Sequence, residues 1–440
     1  MAIDFSLTAE QQKLQRSARE FAQDVLKPVV AAADAEPDTQ KAFQMMKPAY
    51  QEAYKRGYAY GFIPKKYGGP GFTNIDFQIV AEEIGVVDPG FDCILLCNGL
   101  ALMPLIWYGS EEQKQKWLPL ALNDPTGSFI CAWNASERGG TANFDHPDPK
   151  AGVGVTADLK GDHYVINGRK YWPSNSGGWD LQGADLNVVV ARTDRLAGGR
   201  HGLSCLIVPR GTPGVTYGQP LDKMGQRVNQ NNDILFDNCQ VPADNAFAVG
   251  DADLAISRDF TWSGPIAGVA AVGNARAAYE YALDFAKSYT AAGTDPIIGH
   301  QIVGYTLVDC AMRLEAARYL CWKAAHYADL YDVESHAIGA MAKIFGGETA
   351  VQVVYDCMRV MGVNSYDRTN HPLDKLMRDV LCFPIYDTGN MGMQRRKIWG
   401  MLAHRDFDPH MFLENKAFTF TKEMEGIGTL TSRELVGASS

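Results

Sequence analysis

The hydrophobic period of the sequence changes twice, and this order limits the possible folds more than any other feature. Up to about residue 125 the chain predicts helices, and from about 126 to 245 it predicts short strands. From about residue 250 the helical period returns. We therefore predict an α+β protein with an N-terminal all-α domain (1–125), a central β domain (126–245) and a C-terminal α-helical bundle domain (246–440).

Local signals support each of the three parts. Thr8 with Gln11 and Ser110 with Gln113 have the spacing of capping boxes at helix starts. The central part contains short β-rich runs separated by turn residues, which indicates a compact barrel or sandwich: Ser128–Trp133, Tyr164–Ile166, Leu186–Ala191, Leu203–Val208 and Ile234–Phe236. In the last part, apolar residues recur at steps of three and four and predict one buried stripe: Val303, Leu307, Cys310, Leu314, Ala317 and Cys321.

Composition excludes several classes of protein. The net charge of −10 disfavours nucleic acid and anionic lipid surfaces as partners. We expect no membrane span, since we find no apolar run that approaches the roughly 20 residues that a span needs. The N-terminus has no secretory signal pattern, and the nine cysteines are scattered without a CxxC pair. These features predict reduced thiols and a cytoplasmic protein.

Several segments, in order along nearly the whole chain, resemble those of the acyl-CoA dehydrogenase superfamily. They are Ile63–Gly71, Gly109–Lys114, Gly161–Trp172, Lys223-Met224-Gly225, Phe236–Pro242, and Arg378-Asp379 followed by Asp387. The resemblance implies the fold of that superfamily, with an N-terminal helical domain, a central β-barrel and a C-terminal four-helix bundle. It also implies bound FAD, a small-molecule substrate and a homotetramer.

Within the superfamily, three segments resemble the nitroalkane oxidases most: Ser136–Asn143, Trp172–Asp180 and Gly389-Asn390. This resemblance implies an oxidase of small carbon acids. In such an enzyme Asp387 would abstract the α-proton, electrons would pass to the flavin N5, and O2 would reoxidise the flavin. Ser263 stands where many acyl-CoA dehydrogenases have arginine and nitroalkane oxidases have serine.

The same resemblance assigns the cofactor-binding residues. Trp133, Ser136 and Thr141 are expected along the pyrimidine and phosphate side of the flavin. Trp172 and Ser174 are expected along the ring, with Ser174 near N5, and Gly389 beside the base. The adenosine half would be reached from a neighbouring subunit by Gln301 and the backbone near Gly362.

The sequence departs from the nitroalkane oxidase pattern at two places. Gln394 stands where those enzymes have an arginine that can pair with the catalytic aspartate, and Arg395 is the next residue. A shift of one residue turns a side chain by about 100° on a helix, so Arg395 is not expected to replace it. Near Tyr289 the chain offers no cation for the second FAD phosphate.

Other readings of these residues stay open at this stage. Two tryptophans on strands are typical of plain core packing, Ser263 could begin a helix, and Asp387 could cap a helix near Met391. Three alternative functions also stay open. They are an acyl-CoA dehydrogenase, a flavin-dependent oxidase or desaturase of a specialised metabolite, and a flavin-free interaction protein on the same scaffold.

Overall fold

The computed structural model describes residues 5–139, 142–332, 336–403 and 407–410. Its first part is helical, with one π-helical turn at Phe21–Leu26. The helices are α1 (Ala9–Glu20), α2 (Lys27–Ala35), α3 (Thr39–Met45), α4 (Lys47–Lys55), α5 (Asn74–Gly85), α6 (Pro89–Tyr108) and α7 (Glu111–Leu122). Both predicted capping boxes are confirmed, at Thr8 for α1 and at Ser110 for α7.

Eight strands follow and form one mixed sheet. They are β1 (Cys131–Asn134), β2 (Thr156–Lys160), β3 (His163–Ser174), β4 (Leu186–Arg192), β5 (Leu203–Pro209), β6 (Val215–Tyr217), β7 (Asn231–Pro242) and β8 (Ala246–Phe247), with a short helix α8 (Gly199–Gly202). The order across the sheet is β6-β7-β3-β2-β4-β5-β8, and β1 pairs in parallel with β4.

The two faces of the sheet serve different cores. Side chains alternate along a strand, so Val188 and Val190 of β4 pack with the N-terminal helices, whereas Val189 faces the other way. Val189 shares its core with Phe236 of β7, although β4 and β7 are not neighbours in the sheet. The sheet is therefore curled around this second core.

The last part is a bundle of long helices. It contains α9 (Ala252–Ser288), α10 (Gln301–Tyr331), α11 (His336–Met361), α12 (Leu373–Val380), a π-helical turn (Gly389–Gln394) and α13 (Arg395–Leu402). The stripe predicted on α10 is confirmed as core, with buried Leu307, Cys310, Leu314, Ala317 and Cys321 and partly buried Val303. The helix, strand, helix order of the prediction is thus present.

One expectation was wrong. Helix α6 has 20 residues and its most apolar stretch has a mean hydropathy of 1.6, so an apolar run long enough to cross a membrane does exist. However, 78% of its most apolar stretch is buried inside the protein. A helix surrounded by other elements on all sides is apolar all round, which explains its composition.

Residues of two predicted motifs join the three parts of the molecule. Arg378 on α12 forms ion pairs with Asp34 at 2.7 Å and with Asp374 at 3.1 Å. Gly225, which follows β6, packs so closely on α12 that an added Cβ would lie 2.1 Å from the Arg378 carbonyl oxygen. Only glycine permits this approach, which fixes α12 and the loop after it against the β part.

Helices α9 and α11 also approach each other through glycines, so a larger residue at their contact is expected to destabilise the protein. An added Cβ at Gly346 would lie 2.8 Å from the Gly268 carbonyl oxygen, so Gly346→Ala forces the two backbones apart. We expect the substitution to lower the free energy of unfolding by about 1–3 kcal/mol. Gly304→Ala on α10 is the control, since its Cβ would meet nothing closer than 3.8 Å. Thermal unfolding should show a lower midpoint for the first variant alone; equal midpoints would contradict this packing.

Candidate active site

Asp387 lies in a loop whose backbone is left-handed at three successive residues. The φ angles are 50° at Asp387, 70° at Thr388 and 63° at Gly389. Left-handed φ is costly for residues other than glycine, and such residues cluster at functional sites. Thr388 immediately precedes the π-helical turn at Gly389, and no side-chain hydrogen bond caps that turn. The reading of Asp387 as a helix cap is therefore wrong.

Ser263 holds the Asp387 carboxylate. Its hydroxyl donates to Asp387 Oδ1 at 3.2 Å and lies 3.4 Å from Oδ2. Ser263 is completely buried within α9, eleven residues after that helix begins at Ala252. It does not begin a helix, as the alternative reading would require. The structure thus brings together the two residues predicted to be catalytic.

Lys343 of α11 fixes the loop that carries the aspartate. Its buried ammonium donates to the carbonyl oxygens of Phe383 at 2.5 Å and Tyr386 at 2.6 Å, and to Asn390 Oδ1 at 3.1 Å. These three acceptors lie on both sides of Asp387. Burial lowers the Lys343 pKa to about 8, while Asp387 acts to raise it. In the sequence this lysine lies within an apolar helical pattern, so no local signal marks it as a functional residue.

Two further buried ionisable groups adjoin the site. Lys397 of α13 lies 5.5 Å from the centre of the Phe260 ring, and its Nζ is buried without a hydrogen-bond partner among the described residues. Asp259, one helical turn before Ser263, has both carboxylate oxygens buried and unpartnered in the same part of the chain. Burial, followed by the charge of Asp387, raises the Asp259 pKa well above its usual value. Its burial therefore favours the protonated form of Asp259.

The structure also explains the departure at Gln394. This side chain is buried and donates to the Asp387 carbonyl at 3.3 Å and to the Thr388 hydroxyl, so it supports the loop backbone and not the carboxylate. Arg395 pairs with Glu348 at 2.8 Å, as expected of a side chain that turns away. Lys397 follows Gln394 by three residues, nearly one helical turn, which puts it on a similar face. That spacing is the signal that could have identified it.

The electrostatics of Asp387 combine one raising and three lowering effects. Burial raises its pKa, and Lys343, the Ser263 hydroxyl and Lys397 oppose this rise, with burial prevailing. A carboxyl group whose pKa is raised toward neutrality can accept a proton from a carbon acid and return it. The arrangement therefore suits a general base.

A second group of predicted residues meets at the ends of β1 and β3. The Tyr171 backbone N–H donates to the Ser136 carbonyl at 2.9 Å, which brings Ser136 beside Trp172. Trp133 is buried, whereas Trp172 is 51% exposed and has a left-handed φ of 77°. Trp172 is therefore not a core residue, and the core-packing reading of both tryptophans is wrong for it.

Ser174 connects these strands to the Asp387 loop. Its hydroxyl accepts from Asn229 Nδ2 at 3.0 Å and from Asn231 Nδ2 at 3.1 Å. The Ser174 hydroxyl and the Asp387 carboxylate both act on the pKa of Cys97 of α6. Burial raises the pKa of this thiol to about 12, the nearby Ser174 hydroxyl lowers it, and the Asp259 and Asp387 carboxylates raise it. Ser174 and Asp387 thus flank the same thiol.

The residues present fit a planar, hydrogen-bonding ring such as a flavin. Trp133 Nε1 and Asn229 Oδ1 are buried polar atoms without a hydrogen-bond partner in the described ranges. A buried donor and a buried acceptor left unpaired cost free energy unless a ligand completes them. Trp133, Trp172 and Ser174 would hold the ring, and Asp387 would face the substrate.

Gln301 and Gly362, two further predicted cofactor residues, lie away from this place. Gln301 is the first residue of α10. It lies near the end of α9, since the Ile297 N–H, four residues before Gln301, donates to the Tyr289 carbonyl at 2.9 Å. From Ser263 to that end, α9 spans roughly 35–40 Å. Gly362 follows α11, 19 residues beyond Lys343, and is exposed with a φ of 60°. Gly389 adjoins Asp387, and Thr141 lies outside the described residues.

Comparison with known proteins adds independent findings. Family models described as the N-terminal, middle and C-terminal domains of acyl-CoA dehydrogenase match residues 8–124, 135–239 and 253–401. The nitroalkane oxidase of Fusarium oxysporum is 33% identical over 92% of this chain and 96% of its own length. An acyl-CoA dehydrogenase of Bacillus subtilis is 31% identical over 87% of this chain and 96% of its own length.

Solved structures of the same two kinds of enzyme also match this chain. An active-site mutant of nitroalkane oxidase crystallised with 1-nitrooctane matches with a TM-score of 0.87 and 31% identity, covering 93% of this chain and 99% of that one. Butyryl-CoA dehydrogenase from Megasphaera elsdenii matches with a TM-score of 0.80 and 28% identity, covering 91% and 100%.

The position of Lys397 predicts its effect on the base. Lys397→Met removes a cation that lowers the Asp387 pKa, so we expect that pKa to rise and the carboxylate to form at higher pH. Infrared difference titration measures this directly, with the band assigned by its absence in Asp387→Asn. Arg395→Met is the matched control on the same helix, because its charge is paired with Glu348. A titration that does not move in Lys397→Met would show that this lysine does not act on the base.

Proposed function

The chain belongs to the acyl-CoA dehydrogenase family, and on this premise we propose that it is an FAD-dependent oxidase of small carbon acids, most simply nitroalkanes. The observation that carries the proposal is the buried Asp387 carboxylate held by the Ser263 hydroxyl. Its relatives include nitroalkane oxidases at 33% and 30% identity. The overall reaction would convert a nitroalkane, O2 and water into an aldehyde or ketone, nitrite and hydrogen peroxide.

FAD is the cofactor, and when bound it accepts the electron pair released from the substrate carbon. The protein residues have the remaining tasks. Asp387 takes the proton from the carbon next to the nitro group, and Ser263 orients the carboxylate for this transfer. Lys343 keeps the loop in place through its two carbonyl acceptors. The positive charges of Lys343 and Lys397 favour the ionised base before the transfer.

Substitution of the base tests the proposal. Asp387→Asn keeps the size of the side chain but cannot accept the proton, so we expect nitrite release from nitroethane to fall by about 10²–10⁴-fold. Ser263→Ala should cause a smaller loss, since the base remains. Nitrite formation and oxygen consumption are measured together, and retained flavin absorbance shows that the variants are folded. Wild-type protein that releases no nitrite and consumes no oxygen would refute the proposed function.

Acyl-CoA dehydrogenation is the second candidate, because relatives of that activity match over most of the chain. Ser263 in place of arginine speaks against it. Anaerobic titration with short acyl-CoA thioesters distinguishes the two, since a dehydrogenase would bleach the flavin without oxygen and without nitrite. Because Gln394 stands where nitroalkane oxidases have an arginine, a specialised metabolite stays open as the natural carbon acid.

We also propose that the chain assembles with copies of itself, most simply as a homotetramer. A stripe of exposed apolar residues follows one face of α10: Ile302, Tyr305, Val308 and Met312, which are 73, 62, 54 and 59% exposed. Exposed apolar patches commonly mark protein interfaces. Gln301 lies at the start of this stripe, with its Nε2 2.5 Å from the Tyr305 hydroxyl. Association through this face would bring Gln301 and Gly362 to the flavin of a neighbouring copy.

Charged substitutions on the stripe test the assembly. Ile302→Glu combined with Val308→Glu should dissociate the oligomer, because each places a charge in an apolar interface. Sedimentation velocity measures the mass, and Leu196→Glu on the β part is the control, since Leu196 is 91% exposed away from α10. A double variant that keeps the wild-type mass would contradict an interface at this face. The cytoplasm remains the proposed location, in keeping with nine cysteines that are all free thiols.

A further inference from the structure

A small cavity lies next to the Asp387 site, within the helical part of the molecule. Its volume of about 20 Å³ is enough for one water molecule or one small polar group. Helices α5, α6 and α9 enclose it together with the segment before α5. Its lining consists of Tyr58, Phe62, Phe77, Val80, Ala81, Asp92, Leu95, Leu96, Trp262 and Ile266.

Asp92 is the one charged residue in this lining. The residue is 5% exposed, and its carboxyl group makes no hydrogen bond to any residue that the structure describes. Burial raises its pKa to about 8. Two buried acids of the neighbouring helix α5 are treated differently: Glu82 and Glu83 both pair with Arg276 at 2.7 Å.

An unpartnered carboxyl group in an apolar cavity is costly, and a leucine would fill the same space without that cost. The purely packing role that explains Leu95 and Leu96 therefore does not explain Asp92. In either protonation state the group keeps at least one acceptor oxygen. A ligand atom that donates a hydrogen bond would satisfy it in both states.

Two residues of the cavity lining are each followed in the sequence by a residue that contacts the Asp387 loop. Trp262 lines the cavity, and the next residue, Ser263, donates to Asp387. On the other side, Cys93 follows Asp92 and its thiol lies 3.8 Å from the hydroxyl of Tyr386, the residue before Asp387. The lining residues Trp262 and Asp92 are thus next in sequence to residues that contact the Asp387 loop.

We propose that this cavity receives the far end of the substrate and that Asp92 selects substrates bearing a hydrogen-bond donor there, a hydroxyl or an ammonium group. The inference rests on the proposed function, since it concerns the substrate of the same site. Asp92 is a specificity-determining residue in this account and takes no part in proton transfer.

Equilibrium binding to the Asp387→Asn protein with its flavin tests the proposal, because the ligands then persist without turnover. The probes are 1-nitroalkanes of three to six carbons whose last carbon carries a methyl, a hydroxyl or an ammonium group, matched in length. Titration calorimetry should show tighter binding of a donor-bearing ligand than of its methyl counterpart by roughly ten- to a hundred-fold at the best length. Adding Asp92→Leu should abolish or reverse this preference.

Two further variants distinguish the donors and exclude general damage. Asp92→Asn keeps an acceptor but no charge, so it should retain the preference for the hydroxyl and lose that for the ammonium group. Leu96→Met changes the lining without a polar group and should affect all ligands alike. Equal binding of the three ligand types, or an unchanged preference in Asp92→Leu, would overturn the proposal and leave Asp92 as the partner of a buried water.

The outcome separates from that of the proposed function. Nitroethane has no hydrogen-bond donor at its far end, so its oxidation by the wild-type protein tests the reaction alone. Oxidation of nitroethane without a donor preference removes only the role of Asp92. A donor preference without oxidation of nitroethane removes only the proposed reaction.

Discussion

The buried ammonium of Lys343 is the constraint on which the candidate site depends. Three backbone and side-chain acceptors from the segment Phe383–Asn390 converge on it, and the same charge acts on Asp387. The loop has backbone hydrogen bonds of its own, such as Asn390 N–H to the Pro384 carbonyl at 2.9 Å, and the Lys343 ammonium adds three more. One cation from α11 therefore acts on both the shape of the loop and the ionisation of the base. Removing it would take a donor away from three acceptors at once.

Several buried polar groups around this site are unsatisfied. Asp259, Lys397, Trp133 Nε1 and Asn229 Oδ1 lack hydrogen-bond partners among the described residues. Farther away, buried charges are paired: Glu82 is bound by Arg276 at 2.7 Å and Arg318 at 2.8 Å, and Lys375 binds Asp88 at 2.6 Å. In a ligand-binding enzyme, polar groups that bind the ligand cannot also be satisfied by partners within the protein.

The sequence predicted those features that arise from local rules. The two changes of hydrophobic period specified the order of helical and β parts, and both capping boxes are present because they involve residues only three apart. The resemblance identified Asp387 and Ser263, which prove to be hydrogen-bonded although 124 residues separate them. Lys343 is a single charge in an apolar helical pattern, which is typical of core packing. Asp259 follows Arg258, and Lys397 follows two arginines, so both stand in charged segments that indicate an exposed surface. Only tertiary packing shows that all three charges act near Asp387.

The left-handed backbone at Asp387 bears on how such enzymes diverge. Aspartate tolerates this conformation better than longer side chains do, because its short carboxylate can interact locally. Acyl-CoA dehydrogenases usually carry glutamate as the corresponding base. An evolutionary path from one acid to the other would therefore have to remodel the main chain of the loop as well as lengthen the side chain, so a single nucleotide change that swaps the two acids should rarely yield a working intermediate.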